Sequence, residues 1–201
     1  MRVLFVGGFL GSGKTTLIKK LIHGIISGGD TVAIIENEIG EVGIDDAVLG
    51  EADVRVTPIF GGCVCCQVTG NLIDATKKIE QEVNPGWLII ELTGLAFMSG
   101  MIEIFERYGK TDTSALGVVD ISRWDVMKRA MGHLFEHQLE GADLVLLNKS
   151  DVRPPDLEVF DEIRRMSGAE NIEAVCTRDM ADSELWSLVL QNIGSGVAQY
   201  E

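Results

Sequence analysis

Basic side chains are scarce in this chain. Lysine and arginine total 17 against 31 aspartates and glutamates, giving a formal net charge of −14 over 201 residues. Nucleic acid and anionic membrane surfaces both reward basic patches, so this balance argues against either as a partner. No apolar run approaches the roughly 20 residues that a membrane-spanning helix needs. The opening MRVLFVGGFL runs straight into GSGKTT, and it reads as a buried first strand and not as an export signal. Internal repeats, low-complexity tracts and linkers are missing too. Histidine occurs three times and cysteine four times. Without an export signal the cysteines are expected to face a reducing cytoplasm, where metal binding or redox work is favoured over a structural disulfide.

What remains is an ordinary globular composition, 46% hydrophobic and 24% charged. The length suffices for one substantial α/β domain with a buried core. RVLFV, TVAII, WLII, ALGVV and DLVLL are short, nearly continuous apolar runs of the kind that suits strands buried on both faces of a parallel sheet. VRVTPI and IEAV are weaker strand candidates. Between them lie helical patterns, the clearest with Leu17, Ile18, Leu21, Ile22, Ile25 and Ile26 on one face and a stop at Gly28 and Gly29. Further helices are expected around residues 68–83, 99–108, 123–139, 156–167 and 182–192. The alternation predicts a three-layer α/β sandwich, a mostly parallel central sheet with helices on both faces, as a single domain over residues 1–201.

GFLGSGKT, Gly8 to Thr15, fits the phosphate-loop pattern and sits where that chemistry needs it, after a strand and opening a helix. Gly8, Gly11, Ser12 and Gly13 let the backbone curl so that successive N–H groups point at phosphate oxygens, and the helix N-terminus adds a favourable dipole. Lys14 is expected to reach the β- and γ-phosphates and to stabilise the transferring charge. The Thr15 hydroxyl is expected to hold Mg²⁺, with Thr16 completing the nucleotide-contacting set. DLVLLNKSD then selects the base. Asn148, Lys149 and Asp151 have the form N-K-x-D at a strand's carboxyl end. A buried carboxylate at Asp151 can accept two hydrogen bonds from guanine, whereas adenine offers no matching pair of donors. Lys149 would lie over the base, and Asn148 would tie the loop to its neighbours.

Two acidic segments lie between these motifs. WLIIELTG ends a strand at Glu91, which can serve Mg²⁺ through water, and the N–H of Gly94 can sense the γ-phosphate. ENEIGEVGID, residues 36–45, reads as a cation-binding switch loop. Glu38 and Glu41 are candidates for positioning the attacking water. GGCVCC places Cys63, Cys65 and Cys66 within four positions. A bridge between the adjacent pair would be strained. Two or three of these thiolates, with Glu36 or Glu41, make a tetrahedral site suited to Zn²⁺ or Co²⁺. Inert core thiols and a redox role are the other readings. Cys176 is expected in the core. His133 and His137 stand at helical spacing, read as a surface or core pair in preference to a metal site.

GGFLGSGKTTLI, ENEIGEVGID, GGCVCC, ELTGLA and EGADLVLLNKSD, in that order, resemble the nucleotide-binding domain of the CobW-type GTPases, relatives of the nickel-insertion proteins HypB and UreG. The resemblance covers most of residues 1–151. It implies a GTPase that handles a transition metal and delivers it to a client metalloprotein or a corrinoid pathway, and it leaves room for a nucleotide-dependent homodimer. Family members usually carry a further C-terminal domain and often a histidine-rich stretch, neither expected of this chain. Phe97-Met98 stands where relatives often have Asp-Pro. Two other functions stay open at this point: a nucleotide-switched regulatory adaptor with a structural zinc, and an ATP-driven activase of a corrinoid enzyme.

Overall fold

Seven strands order the computed structural model of the chain, which describes residues 1–36, 54–58, 67–92, 97–110 and 112–193. They are β1 (Arg2–Gly8), β2 (Val32–Glu36), β3 (Val54–Pro58), β4 (Trp87–Glu91), β5 (Thr113–Asp120), β6 (Leu144–Asn148) and β7 (Asn171–Val175). The α-helices among the described residues are α1 (Lys14–Ser27), α2 (Gln67–Glu82), α3 (Met98–Arg107), α4 (Trp124–Leu139), α5 (Leu157–Ser167) and α6 (Asp182–Ile193), and a short 3-10 turn (Ile121–Arg123) precedes α4. The sheet order is β3-β2-β4-β1-β5-β6-β7. Every neighbouring pair is parallel, so the expected mostly parallel sheet is wholly parallel among the described strands.

The continuous apolar runs have a direct physical cause. Successive side chains on a strand point to opposite faces, and here both faces are covered. Val3 and Phe5 of β1, Leu88 and Ile90 of β4, and Val145 and Leu147 of β6 pack with Phe105 of α3, Phe135 of α4 and Ile163 of α5. Leu4, Val6, Trp87, Ile89, Leu144 and Leu146 turn the other way, onto Leu17, Leu21 and Ile25 of α1 and Leu185 and Val189 of α6. Among the described residues no helix is long and apolar enough to cross a membrane.

The register fixes where the chain's polar ends meet. Gly8 pairs with Val118 and Val6 with Glu91, so the ends of β1, β4 and β5 lie together. Asp120 pairs with Asn148, and Asn148 with Val175, which extends the same edge to β7. Parallel strands must place all their carboxyl ends on one side, and that side is where open α/β sheets bind ligands.

Candidate nucleotide site

The phosphate end of the site is a loop of left-handed glycines running into an uncapped helix. Gly8, Gly11 and Gly13 have φ of 141°, 77° and 103°. Gly13 is the N-cap of α1 and brings no side-chain cap, and the first turn holds no acidic residue. The helix therefore keeps its first N–H groups and its positive dipole end for an anion. Only glycine fits at position 13, because a Cβ there would stand 2.3 Å from Asn148 Nδ2. Lys14 is buried, with Nζ donating to the carbonyls of Gly8 at 3.0 Å and Phe9 at 3.2 Å. Its ammonium also lies 3.9 Å from Glu91 Oε1, a carboxylate that is itself buried.

Ser12 Oγ is buried and has no hydrogen-bond partner among the described residues. A buried hydroxyl of this kind calls for a partner, and an anionic oxygen held in the loop would supply one. Thr15 and Thr16 open α1 and are exposed. The Thr15 hydroxyl and the Glu91 carboxylate are hard oxygen donors, the type that magnesium takes. The residues present therefore fit a triphosphate with its magnesium.

Asn148 joins this loop to the rest of the site. Its Nδ2 donates to Ser12 O at 2.8 Å, and its Oδ1 accepts from the N–H of Lys149 at 2.9 Å and of Thr177 at 3.0 Å, and from Thr177 Oγ1 at 3.0 Å. A buried side-chain amide so fully engaged fixes two loops against each other. Lys149, at φ 64°, sends Nζ back to Gly11 O at 2.8 Å and to Asp120 Oδ2 at 2.6 Å. Its ammonium is thus anchored beside the phosphate loop.

Asp151 departs from expectation. Its side chain is 32% exposed and is paired with Arg178 at 3.2 Å, not buried. Cys176 departs too: it stands half-exposed just past β7, donating to Asp179 Oδ2 at 3.1 Å, and is not core. Burial and its bonds to Asp179 and Asp151 push the Cys176 thiol up, so it stays protonated as a donor. Arg178, followed by Cys176, holds Asp179 down at about 2. Asp151, Cys176 and Asp179 form the one close trio of potential metal ligands among the described residues. His133 and His137 project from α4, the first near Glu136 of the same helix and the second near the C-cap residue Glu140, and His137 also meets the ring of Phe97.

Asp120, Arg123, Thr177 and Arg178 were not legible as site residues. Asp120 carried one usable signal: it closes an apolar strand run as Glu91 does. The side chain of Glu36, and all of Glu38, Glu41, Cys63, Cys65, Cys66 and Gly94, lie outside the described residues.

Residues 2–175 match the family model described as CobW/HypB/UreG, nucleotide-binding domain. The zinc chaperone YjiA of Escherichia coli (strain K12) is 30% identical over 190 residues, covering 89% of this chain and 58% of that protein. The zinc chaperone CobW of Sinorhizobium sp is 33% identical over 179 residues, covering 73% of this chain and 50% of that one. The chain thus spans between half and three fifths of the length of these curated relatives. In structure, the Zn(II)-bound YjiA GTPase of E. coli superposes with a TM-score of 0.62 at 22% identity, over 90% of this chain and 58% of that one.

Proposed function

The chain belongs to the CobW/HypB/UreG nucleotide-binding family, and from that premise we propose that it is a GTP-hydrolysing metallochaperone of the cytoplasm. It binds GTP with Mg²⁺, carries Zn²⁺ or Co²⁺ on Cys63, Cys65 and Cys66, and passes the ion to a client metalloprotein or a corrinoid pathway. The observation that carries this reading is the joining of phosphate loop and N-K-x-D by one side chain, Asn148, which bonds to Ser12 O and shares an edge with Asp120. A phosphate site and a base site held in one frame are what a nucleotide needs. The relatives described above are zinc chaperones in both cases, which supports the metal part of the reading.

The division of labour follows from the chemistry of each group. Lys14 neutralises charge on the transferring phosphoryl group, and Thr15 and Glu91 serve Mg²⁺, which adds its own neutralisation when bound. Asp151 reads guanine through two acceptor oxygens. Its bond to Arg178 is no obstacle: the arginine stands in solvent, where such a pair is weak, so it can swing aside. Glu38 and Glu41 are the candidates for orienting water. Glu36 or Glu41 completes the thiolate site.

The segment from Glu36 to Asp45 begins at the end of β2, and it is the proposed link between the two ligands. Its acids would serve both ligands, so binding of either would lower the cost of binding the other. Coupling of this kind is typically about 1–3 kcal/mol, roughly five- to 150-fold, and must be reciprocal. Titration of the reduced protein with Co²⁺ or Zn²⁺ in the presence of GTP, GDP and neither is the test. Metal should bind more tightly with GTP than with GDP, and should tighten GTP by the same factor. Equal metal affinity in all three states would sink delivery and favour an adaptor with a structural zinc. ATP competing as well as GTP would favour the activase.

A further inference from the structure

Two cations converge on one buried carboxylate at the end of β5. Asp120 is 7% exposed and ends its strand beside Asn148. Its Oδ2 accepts from Lys149 Nζ at 2.6 Å and from Arg123 Nε at 2.8 Å, while Oδ1 accepts from the N–H and hydroxyl of Ser122. Each cation also makes a second bond, and both second bonds go to the same place. Lys149 Nζ donates to Gly11 O at 2.8 Å, and Arg123 donates to Leu10 O at 3.2 Å. Leu10 and Gly11 are consecutive carbonyls at the tip of the phosphate loop.

Beyond the Ser12 N–H donating to Phe9 O at 3.1 Å, the loop tip has little else among the described residues to hold it. Leu10 is 76% exposed, so its side chain contributes no packing. Gly11 has a left-handed backbone and no side chain. A loop built to turn its N–H groups inward turns carbonyls outward, and these need donors. Lys149 and Arg123 are those donors, and without an anion between them the two charges would repel each other. Burial alone would push the Asp120 carboxyl up, but the bonds from Lys149, Ser122 and Arg123 outweigh it and hold the group below its ordinary value. The carboxylate therefore stays charged at neutral pH.

We propose that Asp120 is a positioning residue for nucleotide binding, clamping Lys149 and Arg123 so that the tip of the phosphate loop and the base-reading segment keep one fixed geometry. The inference rests on the guanine-nucleotide reading above. Asp120 touches neither phosphate nor base in this scheme, and it acts through the two cations. Its loss should weaken GTP and GDP by the same factor, because the clamp makes no distinction between them. Hydrolysis from the saturated complex should change far less than affinity.

Isothermal titration of the full chain with GTP and GDP, alongside single-turnover hydrolysis, tests this. Asp120→Asn keeps the shape and removes the charge. It should weaken both nucleotides by about tenfold or more, the scale of a lost charge-assisted hydrogen bond. In a Lys149→Gln background the same substitution should cost at most about threefold more, since the clamp is already half undone. Asp120→Asn binding both nucleotides as the wild type does, or losses that multiply in full in the double variant, would overturn the inference alone. A wild-type chain binding neither nucleotide would overturn the guanine-nucleotide reading and this inference with it. Should Asp120→Asn fail to fold, Arg123→Gln and Lys149→Gln carry the test. Each should weaken GDP, and their combined loss should fall short of the product. Full multiplication of those two losses would equally overturn the clamp.

Discussion

Asp151, proposed above to read guanine, has surroundings that do not display that function. With Arg178 on one oxygen and 32% of its side chain exposed, it resembles a surface acid. The distinction lies in where it stands, three residues after Asn148, whose amide is committed to Ser12 and Thr177. Asp151→Asn exchanges an acceptor for a donor at the atom proposed to meet the guanine edge. The variant should lose GTP affinity by roughly tenfold or more and gain affinity for xanthosine triphosphate, whose base carries an acceptor where guanine has a donor. Competition of both nucleotides against a fluorescent guanine nucleotide reads this directly, and an unchanged preference would remove Asp151 from base reading. Gly8 to Thr15 and Asn148 to Asp151 stood out in the sequence as candidates because the chemistry proposed for them needs a fixed local spacing. Asp120, Thr177 and Arg178 reach their partners across 29, 29 and 27 positions. No local pattern marks such a pairing, and only the strand register brings them together.

Helix α1 delivers Lys14 at one end and is seated on the sheet by its other three turns. Leu17, Leu21 and Ile25 face β1 and β2, while Gly24 lets α6 approach on the flank. A Cβ on Gly24 would lie 2.5 Å from Trp186 Cβ and 2.9 Å from the carbonyl of Asp182. Alanine is the better helix former by about 0.5–1 kcal/mol, but overpacking of this type costs about 1–3 kcal/mol. The steric term should win, because one of the two clashes is with backbone that cannot rotate away. Gly24→Ala should therefore lower the melting temperature by several degrees, and thermal unfolding at neutral pH would show it; an unchanged or higher value would mean that α6 shifts freely. The helices and the five central strands were readable because burial on both faces, or along one stripe, leaves an unbroken apolar period. β7 was fainter because it is an edge strand, with Glu173 and Ala174 outside the buried set. The break in α4 at Met131, at φ −142° and ψ 27°, had no comparable signal beyond the glycine that follows it.

The charge of the entire chain bears on how a nucleotide arrives. A net −14 sets up a field that repels a polyanion such as GTP. Local cations could reverse that field at the mouth of the site, yet the ones described there are already matched. Lys14 faces Glu91, Lys149 and Arg123 share Asp120, and Arg178 stands between Asp151 and Asp179. Matched in this way, these cations act at contact distance and do little to attract from afar. Approach should then be governed by the distant acids. Screening shortens their reach from about 30 Å at 0.01 M ionic strength to about 8 Å at 0.15 M. Added salt should accordingly speed GTP association, the reverse of what a nucleotide site on a basic surface would do. Dissociation should respond less, because it breaks short contacts that salt screens weakly. Stopped-flow mixing with a fluorescent GTP analogue, at fixed Mg²⁺ across that range, would separate the two rates. A severalfold rise in the association rate with little change in dissociation is the expected result. A falling association rate would mean that the cations at the strand ends dominate the approach, and that their pairing with Asp120, Glu91 and Asp151 is far looser than their distances imply.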